Sequence, residues 1–191
     1  MLKKKIIFKS RDSRIKNSTI DYKGTISLRP FDLNLDISLE KMKLAKMFNA
    51  NSFFFELLKT QLFFNENISA KISLDTKFFK NKKIFDSAKI NFNLINGNIN
   101  FNQTKLINNK IGSLKLVNSI LFLDNKNFFL NSNVEIDIKN SDKLFLFLQT
   151  PKKVRNSIKK IYFNLDYNFL ADEISINNFY IDDGENNTEM V

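Results

Sequence analysis

Histidine and cysteine are both absent from this chain, which removes the commonest general base, thiolate metal sites and any disulfide framework. The groups left for acid–base work are carboxylates standing side by side, Asp182-Asp183 and Asp172-Glu173. Neighbours on a strand point to opposite faces, so neither pair converges unless it lies in a turn, where solvated acids are the commoner outcome. Asp124 and Asp142 sit at an expected turn and an expected helix cap and have the same explanation. The 4 glycines are too few and too scattered for a phosphate loop. No enzyme, no cofactor and no metal site is expected.

The second group with chemistry in it is a basic run, Lys152, Lys153, Arg155, Lys159 and Lys160. It has two readings: contact with phosphates, lipid headgroups among them, or a solvated loop in a lysine-rich chain. The net charge is +10 over 191 residues, and Lys, Asn, Ile and Phe, the residues with A/T-rich codons, dominate the composition. A low-GC genome would inflate all four, which weakens the charge as a sign of a nucleic-acid partner. A single-stranded nucleic-acid platform needs exposed aromatics beside cations. Here the 21 Phe alternate in phase with Ile and Leu, and the intervening positions are mostly Asn, Asp and Ser. Nucleic acid is not the expected partner.

The elements that must carry these groups are strands. Asn96-Gly97 supplies the two positive-φ residues of a type I′ turn, which pairs Ile95 with Asn98, Leu94 with Ile99 and Phe92 with Phe101 on one face, and leaves Asn91, Asn93, Asn100 and Asn102 on the other. Phe31 to Leu39 alternates without a fault. Ile68 to Thr76, a region over 111–123 with a blurred phase that calls for a bulge, Phe128 to Ile138, Ile161 to Phe169 and Ile174 to Ile181 continue the pattern. Two stretches break it. Residues 41–64 fit short helices, with Asn51-Ser52 as a cap, and plug or cover part of the sheet; residues 142–149 fit a short helix with Asn140-Ser141-Asp142 as its cap, ended by Pro151. Asn81-Lys82-Lys83 and 124–127 read as turns. The expectation is a mainly β chain: one long, twisted, curled antiparallel sheet, an open trough or a partly closed sandwich, with helical insertions near 41–64 and 142–149. One domain covers 1–184, weakly patterned over 1–23, and 185–191 frays. No run approaches the roughly 20 apolar residues of a membrane span, and Ile6-Ile7-Phe8 is too short for a signal-peptide core, so the chain as given is expected to be neither anchored nor self-exported.

One oily sheet face has two uses, the core of a sandwich or the lining of a groove for acyl chains, and periodicity alone does not separate them. The segments Gly24-Thr-Ile-Ser-Leu-Arg-Pro-Phe-Asp-Leu-Asn-Leu-Asp36, Ala70-Lys-Ile-Ser-Leu74 and Ala88-Lys-Ile-Asn-Phe-Asn-Leu-Ile-Asn-Gly97, then Ser141-Asp-Lys-Leu-Phe-Leu-Phe-Leu148, Pro151, Arg155 and the closing Ile181-Asp-Asp-Gly184, resemble the C-terminal region of AsmA-like proteins of Gram-negative envelopes. Order and spacing carry the likeness more than any single residue. The family is similar to bridge-like lipid-transfer proteins, whose twisted sheet forms a trough with a hydrophobic interior. The resemblance implies a periplasmic or envelope location, phospholipid or another acyl lipid as partner, and a role in outer-membrane lipid homeostasis or assembly. It also implies membrane association through a partner or a missing N-terminal anchor, and contacts with envelope proteins through sheet edges. The lining it implies is Phe31, Leu33, Leu35 and Ile37; Ile72 and Leu74; Ile90, Phe92 and Leu94; Ile99 and Phe101; Val134, Ile136 and Ile138; and Phe163 and Leu165. Lys152, Lys153, Arg155, Lys159 and Lys160 would meet headgroups. A closed structural β module is the alternative.

Overall fold

The structure is a computed structural model and describes residues 4–15, 18–40, 53–77, 85–125, 127–182 and 187–189. In chain order the strands are β1 (Lys5–Ile15), β2 (Ser18–Leu28), β3 (Phe31–Leu39), β4 (Ile68–Thr76), β5 (Ser87–Ile95), β6 (Asn98–Asn100), β7 (Lys105–Asn108), β8 (Gly112–Asp124), β9 (Asn127–Ile138), β10 (Lys160–Asn168), β11 (Glu173–Asp182) and β12 (Asn187–Glu189). The helices are α1 (Phe53–Lys59) and α2 (Ser141–Phe147), with 3₁₀ turns at Leu62–Phe64 and Lys152–Val154. Among the described residues the twelve strands form one mainly antiparallel sheet whose spatial order follows the chain, with β6 and β7 sharing one place between β5 and β8. Among the described residues the edge strands β1 and β12 do not pair with each other.

Asn96 and Gly97 take φ of 50° and 68°, and the hairpin register follows: Ile95 faces Asn98, Leu94 faces Ile99 and Asn93 faces Asn100. There the ladder stops, two pairs short of the register read from alternation, which set Phe92 opposite Phe101 and Asn91 opposite Asn102. Phe101 to Thr104 leaves the strand, and the Thr104 hydroxyl takes its place, accepting from the Asn91 N–H at 3.1 Å and donating to the Asn91 carbonyl at 3.2 Å. The displaced loop matches a bulge in β8 between Val117 and Ile120: Phe101 N donates to Ser119 O, and the Asn102 side chain accepts from Ser119 N. Two irregularities thus satisfy each other's backbone groups. Phe92 and Phe101 still meet, edge to face at 5.5 Å.

One pairing breaks the antiparallel rule. β3 and β4 are parallel, Phe31 beside Ile68 through Leu39 beside Thr76. Parallel neighbours need a long return connection, and residues 40–67 supply it. The part of this crossover that is described, α1 and the 3₁₀ turn, lies over the apolar face of the sheet. Leu58 is fully buried among Ala70, Phe92, Leu94, Ile99, Phe101, Leu121 and Phe128; Phe63 meets Phe92 edge to face at 5.4 Å and Phe64 stacks on Phe128 at 5.6 Å. The helical insertion expected near 41–64 is therefore present from residue 53 as a cover for the sheet; its first part with the Asn51-Ser52 cap, like the turn at 81–83, falls outside the described residues.

At both ends of the chain the structure describes strands where the sequence showed little pattern. The stretch 1–23, weakly patterned as sequence, holds β1 and the first part of β2; a bulge between Ser10 and Ser13 shifts β1 against β2 and hides the alternation. Residues 187–189, expected to fray, pair with β11, Tyr180 opposite Glu189, because the outer edge of β11 offers unpaired backbone groups. Between β9 and β10, Asn140 caps α2 by accepting from Lys143 N at 3.0 Å, and the helix ends with Gln149 at φ 56° and Thr150 N donating back to Phe145 O, the closure that precedes Pro151.

Candidate functional site

The register assembles the apolar positions of successive strands into rows. One row runs Leu33, Ala70, Leu94, Ile99, Leu121, Leu130, Tyr167, Ile174, from β3 to β11. Another runs Leu35, Ile72, Phe92, and a third Ile37, Leu74, Ile90. On the far side Leu114, Ile136 and Ile161 align, as do Leu116, Val134 and Phe163. Residues of one row share a face, and alternate residues along a strand keep it. All sixteen positions expected to line a groove, from Phe31 to Leu165, therefore lie on one face of the sheet.

Their surroundings differ. Leu74, Ile90, Phe92, Leu94, Ile99, Phe101, Val134 and Ile138 are buried; in the middle of the sheet the cover is α1 and the 3₁₀ turn. Phe31, Leu33, Leu35, Ile37, Ile72, Ile136, Phe163 and Leu165 are only half-buried. Beyond them the same face continues onto β11, where Ile174 and Ile176 are 64% and 55% exposed, and onto β1, where Ile6 is 52% exposed. Ile174 and Ile176 belong with the lining although the sequence reading left them out; their in-phase spacing after Tyr167 and Leu165 was the signal.

The opposite face is polar and carries charges of both signs. Lys9, Lys23 and Asp36 lie in one row, and Asp75, Lys89, Lys105, Lys115 and Glu135 in another, with Lys23 3.5 Å from Asp36 and Lys115 3.7 Å from Glu135. Surface pairs of this kind contribute little stability, and acids end each of these short lysine runs. Near the β8–β9 turn this face holds an apolar exception, Ile120 with Phe122 stacked on Phe129 at 5.7 Å, in a depression of about 560 Å³ rimmed by Asn131, Asp166, Asn168 and Glu173.

The basic run does not act as one cluster. Arg155 is spent locally, its Nε and Nη2 donating to Thr150 O at 2.9 and 2.8 Å. Lys160 lies 5.9 Å from the centre of the Tyr162 ring. Lys152 and Lys153 are exposed on the 3₁₀ turn next to Val154. Lys159 lines a depression of about 470 Å³ with Lys105 and Lys139 at the end of β7 to β9. Of the acid pairs, Asp172 accepts from the Tyr167 hydroxyl at 2.6 Å and Glu173 is exposed, while Asp183 lies outside the described residues. The Asp172 hydrogen bond, with partial burial and the carboxylate's charge behind it, raises the Tyr167 phenol above its ordinary range. Among the described residues no cluster of three or more acids is placed to hold a metal, and no helix is long and apolar enough to cross a membrane.

No protein-family model matches the chain, and no curated protein and no solved structure matches it.

Proposed function

We propose that this chain is a non-enzymatic, AsmA-like β protein of the periplasm or cell envelope that contacts or conducts phospholipid along its apolar sheet face. The observation that carries the reading is a mismatch of extent among the described residues: the apolar face runs from β1 to β11, whereas α1 and the 3₁₀ turn pack on its middle. Apolar area left wet costs about 25 cal/mol per Å², so acyl chains laid along the flanks would gain what protein burial supplies at the centre.

The test is lipid carried by the chain itself. Native mass spectrometry and lipid extraction of the purified protein should find bound phospholipid, and Leu165→Asp with Ile176→Asp should abolish its capture while the fold persists by circular dichroism. Phe92→Asp would not serve, because Phe92 is 6% exposed in the core and a charge there unfolds the sheet. A well-folded chain that carries no phospholipid and takes up none from donor vesicles would sink the reading. It would leave the second one, a structural β module, which the closed cluster around Leu58 favours.

A further inference from the structure

α2 carries an exposure that neither the groove nor the core explains. Leu144 and Phe145 are buried and hold the helix down, but Leu146, Phe147 and Leu148 are 62%, 47% and 58% exposed, and Val154, just beyond the Pro151 turn, is 55% exposed. Large apolar side chains this close together at a surface mark a contact site. The segment is not loosely built. The helix closes through Thr150 N to Phe145 O, and the Arg155 guanidinium clamps the same Thr150 from its carbonyl side. The apolar tip is therefore presented in a fixed shape, with the exposed Lys152 and Lys153 between Leu148 and Val154.

Lysines stand close to this tip. Lys159 and Lys139 flank the base of α2, Ile138 N bonding to Lys159 O and Lys139 N to Ile111 O, and with Lys105 they line the depression at this end of the sheet, where Asp137 is the sole acid. The chain after Lys160 reverses sign: it contains Asp166, Asp172, Glu173, Asp182, Asp183, Glu185 and Glu189 and no Lys or Arg. Asp172 and Glu173 lie at the β10–β11 turn, at the opposite end of β10 from α2. Asp142 in the first turn of α2 and Asp182 opposite Lys160 also lie at this end, but Lys139, Lys143, Lys152, Lys153, Lys159 and Lys160 outnumber them. An apolar tip among lysines matches a surface that is oily underneath and negative on top.

We propose that the α2 tip docks the protein on an anionic bilayer surface, with Phe147, Leu148 and Val154 entering the acyl boundary and Lys152 and Lys153 at headgroup level. This docking is independent of what the sheet face holds, and either can fail without the other. Flotation of the full chain with phosphatidylcholine vesicles, with and without phosphatidylglycerol, tests it. The wild type should float with the anionic vesicles and lose binding as salt rises. Phe147→Ser with Leu148→Ser should weaken partitioning by about tenfold or more, and Lys152→Glu with Lys153→Glu should flatten the salt dependence. Leu170→Ser, which removes an equally exposed side chain (75%) from the β10–β11 turn, should change nothing. The chain has no tryptophan, so Phe147→Trp supplies a single reporter whose emission should shift to the blue on anionic vesicles only. Absence of flotation, retention of binding in the Phe147/Leu148 variant, or loss of it in Leu170→Ser each overturns the proposal.

Discussion

Strands β5 and β11 alternate in the same way and end in different environments. On β5 the inward residues Ala88, Ile90, Phe92 and Leu94 are 4%, 2%, 6% and 3% exposed, whereas Ile174 and Ile176 on β11 are 64% and 55% exposed. Both sets lie on one face of one sheet, and the rows of the register join them. Alternation therefore defines which face is apolar and leaves open what covers it. The cover follows from topology: the single parallel step from β3 to β4 forces a crossover, and the crossover carries α1 and the 3₁₀ turn onto the strands beside it. β10 and β11 are joined by a short turn with no chain to spare, and Ile174 and Ile176 stay exposed.

Substitutions that remove equal bulk from the two regions should have unequal costs. The largest effect is expected at the cover itself. Leu58→Ala, at a fully buried position, should lower stability by about 2–5 kcal/mol in urea unfolding, while Ile176→Ala should cost less than about 0.5 kcal/mol. Comparable losses at both sites would show that the flank is also closed in solution. Next in size is the defect that lets β5, β6 and β8 fit. Thr104→Val keeps the side chain's shape but leaves the Asn91 N–H and carbonyl without their hydroxyl partner, at a cost of about 1–3 kcal/mol. A neutral outcome would mean that water replaces the hydroxyl there. Gly97→Ala follows, because a Cβ at φ 68° would sit 2.8 Å from the Phe64 carbonyl oxygen of the cover, and about 1 kcal/mol or more should be lost. If the loss disappears in a Leu58→Ala background, turn and cover act as one unit.

What could be read from the sequence divides along the same line. The face shared by the sixteen apolar positions was legible because a period of two does not depend on which strand lies alongside. The Asn96-Gly97 register was legible because the turn's positive φ values fix it, and α2 because Asn140 and Pro151 bracket it. The break at Phe101 was not, since Phe101 stays in phase with Ile99 and the substitution of a Thr104 hydroxyl for a ladder partner leaves no periodic trace. The β1 strand was hidden by its bulge at Ser10 and Ser13. Exposure was the least legible property of all: nothing in the alternation of Ile174 and Ile176 distinguishes them from Ile90 and Phe92. The α2 tip was missed for a related reason, because the apolar run Leu144 to Leu148 reads only as a short helix, and its sequence does not say that Leu144 and Phe145 are buried while Leu146, Phe147 and Leu148 are exposed.

The smallest effect is also the one most specific to the open region. At the end of β10, Tyr167 is held by a neighbour on the turn: its hydroxyl donates to Asp172 at 2.6 Å, and its ring lies 4.4 Å from that of Phe169. The hydrogen bond is made by the protonated phenol, which is why the folded state raises the group's pKa above its ordinary value of about 10. A group whose folded pKa is raised contributes its stability fully below the unfolded value and loses it as pH climbs through the folded one. Wild-type stability should therefore carry a decline above about pH 10 that Tyr167→Phe lacks, while at neutral pH the variant, which retains the ring contact, should differ by less than about 1 kcal/mol. Measured as urea midpoints across alkaline pH, parallel curves for the two proteins would mean that Asp172 does not hold the phenol in solution. A much larger neutral-pH loss would mean that this end of the sheet is covered after all.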